Sequence, residues 1–150
     1  MSANLTAHWD YLDGQWRAAQ AAPLSRRRAY LVVYLIDAYV DRLFAVSGAD
    51  DVLNFRADLV ARGDALAQVL ALAEQRDDGP RLQVQTIQVP LEHYGALSVE
   101  DFMVSLYNDH SVQRLMLVGL DGTPELAHPV LMAAIHRLAD VQATLTGDIN

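Results

Sequence analysis

From Tyr30 to Phe44 the chain reads YLVVYLIDAYVDRLF, an apolar run broken only by Asp37, Asp41 and Arg42. A helix that is apolar nearly all round must be wrapped by other elements. Ser25 is placed to cap it, and Ser47-Gly48 to end it, so a central helix is expected from there to about Val46. At roughly 100° per residue, Tyr30, Tyr34, Asp37 and Asp41 share one narrow strip of that helix. The favoured reading of the strip is a thin solvent edge, where tyrosine keeps an apolar body and a wet tip. The alternative is an acidic pair facing another helix. It would share a proton, bind a cation or, more simply, meet an arginine. His8 and His136 are candidate further ligands, but the Glu-x-x-His spacing of helical di-metal sites is absent. No metal and no cofactor is therefore expected, with Asp37 and Asp41 as the weaker metal alternative.

The flanking segments supply the wrapping. Leu5, Trp9, Leu12, Trp16 and Ala19 recur at helical spacing, predicting a first helix over about 5–20. Val52, Phe55, Leu59, Leu66, Leu70 and Ala73 share a face, predicting one helix over about 50–75 with Gly63 on that face. Asp77-Asp78-Gly79-Pro80 is the strongest break in the chain. Beyond it the pattern changes. LQVQTIQV (82–89) reads as a strand ended by Pro90. Ser98 with Asp101 resembles a capping box opening a short helix that buries Val99, Phe102, Met103 and Leu106. RLMLVGL (114–120) reads as a buried strand, and Thr123-Pro124 as the start of a last helix with a stripe of Leu131, Ile135, Leu138, Val141 and Leu145.

The expected architecture is thus α+β in a single domain over residues 1–150. An N-terminal three-helix half (1–78) packs on a C-terminal β-α-β-α half (81–150). A two-stranded sheet is marginal alone, so either the helices cover it or a second copy completes it by dimerisation.

Composition narrows the chemistry. The chain has no cysteine, which removes disulfides, thiolate nucleophiles and Cys-ligated metal. It also has no lysine, which removes Schiff-base chemistry and the P-loop lysine. A formal net charge of −8 opposes nucleic acid and anionic membranes and suits a basic protein partner. No apolar run is long enough to span a bilayer and no secretory signal is visible, so the expected compartment is the cytoplasm.

Three polar constellations stand out. Ser25-Arg26-Arg27-Arg28 places three cations at a helix start, where acids are preferred. The favoured explanation is compensation by Asp10, Asp13 or a partner's carboxylates. The functional one is an anion held by Ser25, Arg26, Arg27 and Arg28. Glu92, His93 and Tyr94 follow the first strand and Asp121 follows the second. If the strands are parallel, all four meet at one sheet edge and His93 is a candidate general acid–base. Asn108-Asp109-His110-Ser111 contains the residue types of a triad, but adjacency in sequence is not how triads are built. On the same parallel arrangement it would lie at the opposite end from His93. No motif carries an unambiguous activity. The expected function is a non-enzymatic interaction protein, an adaptor, dedicated chaperone or inhibitor acting as a homo-oligomer. The alternative is a small-molecule-binding protein or enzyme using Glu92, His93, Tyr94 and Asp121.

Overall fold

The computed structural model describes residues 3–89, 91–119 and 121–147. Six helices and a three-stranded sheet follow in the order α1 (Ala3–Ala21), α2 (Arg26–Ser47), α3 (Val52–Val60), α4 (Ala65–Ala73), β1 (Arg81–Gln88), a 3-10 turn (Leu91–Ala96), α5 (Val99–Tyr107), β2 (Ser111–Val118), β3 (Pro124–Leu126) and α6 (Ala127–Gly147). The fold is α+β, with four helices before the sheet, α5 between β1 and β2, and α6 after β3.

The apolar run of α2 does become the central helix. Ala29, Val32, Val33, Ile36, Val40 and Leu43 are fully buried, and α1, α4 and α6 supply the side chains around them. Ser25 Oγ accepts from Arg28 N at 3.2 Å and starts the helix. Gly48, at φ +76°, ends it in the left-handed conformation that glycine tolerates best.

The single helix expected over 50–75 is two. Gly63 sits at φ +60°, a conformation no helix interior contains, and Asp64 accepts from Ala67 N at 3.3 Å to start α4 afresh. The last helix also starts later than expected. Thr123-Pro124 leads into the short strand β3, and α6 begins at Ala127. Proline serves there as an edge-strand residue that needs no N–H.

The sheet has the order β1-β2-β3 and is antiparallel throughout, with Arg81 opposite Val118, Gln88 opposite Ser111, and Met116 opposite Leu126. β2 is central and covered on both faces. Leu115 and Leu117 join Leu82 in the helical core. Val112, Met116 and Val118 are buried on the opposite face, where Arg114 reaches Asp101 of α5 at 3.0 Å. Double coverage explains why β2 reads as a continuous apolar run rather than an alternating one. β1 is different. Only Leu82 is fully buried, and the helical layer leaves Val84, Thr86 and Gln88 exposed.

Candidate functional site

The surface that stands out is α5. Ser98 Oγ accepts from Asp101 N at 3.1 Å, and Glu100 and Asp101 place negative charge in the first turn, where the helix dipole favours it. The helix stops at a sharp reversal in which Asp109 and His110 both adopt left-handed backbone, with φ of 52° and 61°. His110 N donates to Ser105 O at 2.9 Å, and Asn108 Nδ2 donates to Val104 O at 2.9 Å, so two of the last four carbonyls are satisfied. The side of α5 towards β2 is held by the Asp101–Arg114 pair and by Ser105, which is fully buried with its hydroxyl donating to Phe102 O at 2.8 Å.

Val99, Phe102, Met103 and Leu106 of α5 were expected to be buried. They are not. Val99 and Tyr107 are each 82% exposed, and Phe102, Met103, Val104 and Leu106 lie between 41% and 52%. The physical reason is the position of the helix. A nine-residue segment laid over the outer face of a narrow sheet has no third layer above it. The residue pattern that demands burial is present, and the described residues leave these side chains exposed.

Two open clefts lie elsewhere. One, of about 840 Å³, is lined by the α1–α2 turn, the start of α5, β2 and the start of α6. His128 sits in it with Nε2 3.1 Å from the Pro23 carbonyl oxygen and its ring 5.5 Å from that of Trp16. Burial pushes the His128 pKa down, and the Pro23 carbonyl only partly offsets this. The two serines of this cleft are occupied as helix caps, Ser25 by Arg28 N and Ser98 by Asp101 N. Its Arg114 is already paired with Asp101. The second cleft, of about 560 Å³, runs along α2 past Ser25, Arg27, Arg28, Tyr30, Leu31 and Tyr34.

The antiparallel sheet separates the residues proposed to act together. β1 ends opposite the start of β2, so His93 and Asp121 leave the sheet at opposite ends. The arrangement that would join them required parallel strands. His93 is exposed on the 3-10 turn; the side chains of Glu92 and Tyr94 lie outside the described residues. Asp121 accepts from Thr123 N at 3.0 Å, and this bond holds its carboxyl below the usual range. It is a turn residue. The same reversal brings His110 to the end of the sheet nearer His93, contrary to the parallel arrangement. Ser111 is nevertheless spoken for, because its hydroxyl donates to the Asn108 carbonyl rather than to an imidazole.

Arg26, Arg27 and Arg28 are exposed and make no ion pair among the described residues. Asp13 does not compensate them, being paired with Arg17 at 3.0 Å. At Asp37 and Asp41 the structure supplies a specific partner that the sequence left open. Arg56 of α3 donates from Nη1 to Asp37 Oδ1 at 2.8 Å and from Nη2 to Asp41 Oδ1 at 2.8 Å. It adds bonds from Nε to Asp41 Oδ1 at 3.2 Å and from Nη2 to the Asp37 carbonyl at 3.0 Å. Burial opposes the Arg56 charge, but the two carboxylates outweigh it and raise its pKa. The strip is otherwise the wet edge its composition suggests. Tyr34 is 45% exposed and stacks on Tyr30 with ring centres 6.2 Å apart.

No group of three or more metal-ligating side chains capable of holding an ion occurs among the described residues. Nor is any helix among them long and apolar enough to cross a membrane. The chain matches no family model, no curated protein and no solved structure.

Proposed function

We propose that this protein is a non-enzymatic interaction module, acting as a homo-oligomer, whose docking surface is the outer face of α5. The observation that carries the proposal is the exposure of Val99, Phe102, Met103, Val104, Leu106 and Tyr107 on one nine-residue helix. Scattered exposed apolar residues need no explanation, but a contiguous set on one element marks a binding face. The partner it suits presents an apolar strip flanked by basic side chains. Glu100 and Asp109 lie at the two ends of the helix, and the whole chain carries a net charge of −8. Adaptor, chaperone and inhibitor roles all use such a face, and the expected compartment is the cytoplasm.

The test uses a synthetic amphipathic helical peptide with a leucine stripe bordered by lysines. Fluorescence anisotropy should show binding to the wild-type chain that weakens with added salt. The double variant Met103→Asp, Leu106→Asp should abolish it, while His93→Ala leaves it unchanged. Both substituted positions are exposed, so circular dichroism should be unaltered. Absence of binding, or equal binding by the double variant, refutes the assignment of α5.

A further inference from the structure

The outer edge of β1 offers a second, independent surface, and the hydrogen-bond parity of the sheet defines it closely. Val89 N–H donates to the His110 carbonyl at 2.7 Å. In an antiparallel ladder, directly bonded pairs alternate with unbonded ones. Given the observed register, Arg81, Gln83, Gln85 and Ile87 therefore turn their backbone groups towards β2, and Leu82, Val84, Thr86 and Gln88 turn theirs outwards. One observation confirms that parity: Leu82 N–H leaves the sheet and donates to the Tyr30 hydroxyl at 3.0 Å. The outward series is thus closed at one end by Tyr30. At the other end the sequence continues from Val89 into a proline, a residue type with no N–H to offer. Between them lie Val84, Thr86 and Gln88, with Thr86 at the centre, on an edge strand that pairs with nothing on that side among the described residues.

We infer that this edge pairs with the same edge of a second copy, antiparallel about a two-fold axis at Thr86. The result is one continuous six-stranded sheet. The window is self-complementary. Val84 meets the second copy's Gln88, Thr86 meets its own counterpart, and each outward N–H finds a carbonyl. Natural edge strands avoid such pairing with charges, bulges or an internal proline. Residues 82–89, LQVQTIQV, contain no charged residue and no proline. On a chain of net charge −8, an uncharged stretch is where two copies approach with least repulsion. Tyr30, on whose ring the exposed Tyr34 stacks, is the α2 residue that reaches this edge, at its Leu82 end. This gives the homo-oligomer of the proposed function a surface, and it stands whether or not α5 binds a basic partner.

Sedimentation equilibrium on the full chain tests the inference. The wild type should be a dimer at micromolar concentration. Its association should strengthen with salt, because screening relieves repulsion between two acidic bodies. Binding of a basic peptide at α5 should instead weaken with salt. Thr86 is exposed and its N–H points away from β2, unused among the described residues, so substitution there should leave circular dichroism unchanged. Thr86→Lys and Thr86→Glu each oppose like charges across the axis and should weaken dimerisation at least roughly tenfold. Mixing the two variants should restore a dimer containing one of each. Thr86→Pro, which removes a donor that the intrachain ladder does not use, should also be monomeric. A monomeric wild type overturns the inference, as does dimerisation insensitive to all three substitutions. Loss of dimer in both Thr86 charge variants with no restoration on mixing places the axis elsewhere and overturns this geometry.

Discussion

Tyr39 offers a direct check on the core. It lies on α2 at 1% exposure, with its ring 5.4 Å from that of Trp9 and its hydroxyl donating to Gln142 Oε1 of α6. Burial disfavours the phenolate and pushes the pKa from 10.0 up to about 12. The folded protein thus holds this proton more tightly than the unfolded chain. The stability it contributes is complete below pH 10.0 and is lost as pH rises from there towards 12. That window corresponds to roughly 2–3 kcal/mol. The chain suits the experiment because it contains no lysine, so no ammonium side chain titrates in the same range. Denaturant unfolding should be followed across this window for the wild type and Tyr39→Phe. The wild type should lose stability with pH more steeply than the variant. The difference between their tyrosinate absorbance titrations should place Tyr39 well above 10. If that difference appears near 10, or if the two proteins lose stability in parallel, the hydroxyl is not held in the dry contact between α2 and α6 and the argument is wrong.

Three further outcomes follow from local geometry. Arg56→Ala should cost about 1 kcal/mol by urea unfolding, a modest value because the carboxylate of Asp41 is 60% exposed and that of Asp37 37%. Arg56→Lys should recover only part of this, since one ammonium cannot span both acids as the guanidinium fork does. Asp109→Gly should raise stability by up to about 1 kcal/mol, because aspartate at φ 52° carries a left-handed penalty that glycine escapes; an unchanged thermal midpoint would count against that strain. His128 is half-buried and its neutral form is favoured, so its contribution is complete above pH 6.5 and lost as pH falls below that value towards its lowered folded pKa. Its ring resonances should titrate below 6.5 in NMR, and His128→Asn should flatten the corresponding part of the stability curve.

Much of the helical structure was legible because its signals are local. Ser25 and Ser98 act as the caps their positions suggested, and the stripes of α1 and α6 enter the core as spaced. The break at Gly63 was visible in principle, since glycine followed by a capping aspartate is a stop and a start. Read as a packing aid on a long apolar face, the glycine concealed the turn. Strand direction was not local. The connection from β1 to β2 carries a helix, as a parallel crossover would, and nothing in residues 89–110 states on which side the chain returns. That one non-local fact decided the fate of His93 and Asp121. Arg56 was equally hidden. The chain has 11 arginines, and only the packing of α3 across α2 selects the one that meets Asp37 and Asp41.

The failed expectation at α5 carries more information than the successful ones. Apolar spacing predicts burial because an isolated amphipathic face gains free energy by leaving water. Where a folded chain satisfies that demand, the pattern has been explained. α2 shows this, with Ala29, Val32, Val33, Ile36, Tyr39, Val40 and Leu43 enclosed and its carboxylates tied off by Arg56. Where the chain leaves the demand unmet, the pattern still needs a cause outside the chain. The two unmet demands differ in kind. α5 offers side chains without backbone donors, because its amides are spent within the helix. β1 offers backbone donors beside few large side chains. A side-chain surface takes partners by shape and charge, whereas a strand edge takes another strand in a fixed register. On this protein the first therefore suits a different molecule and the second a copy of itself. Their opposite responses to salt follow from the same net charge of −8.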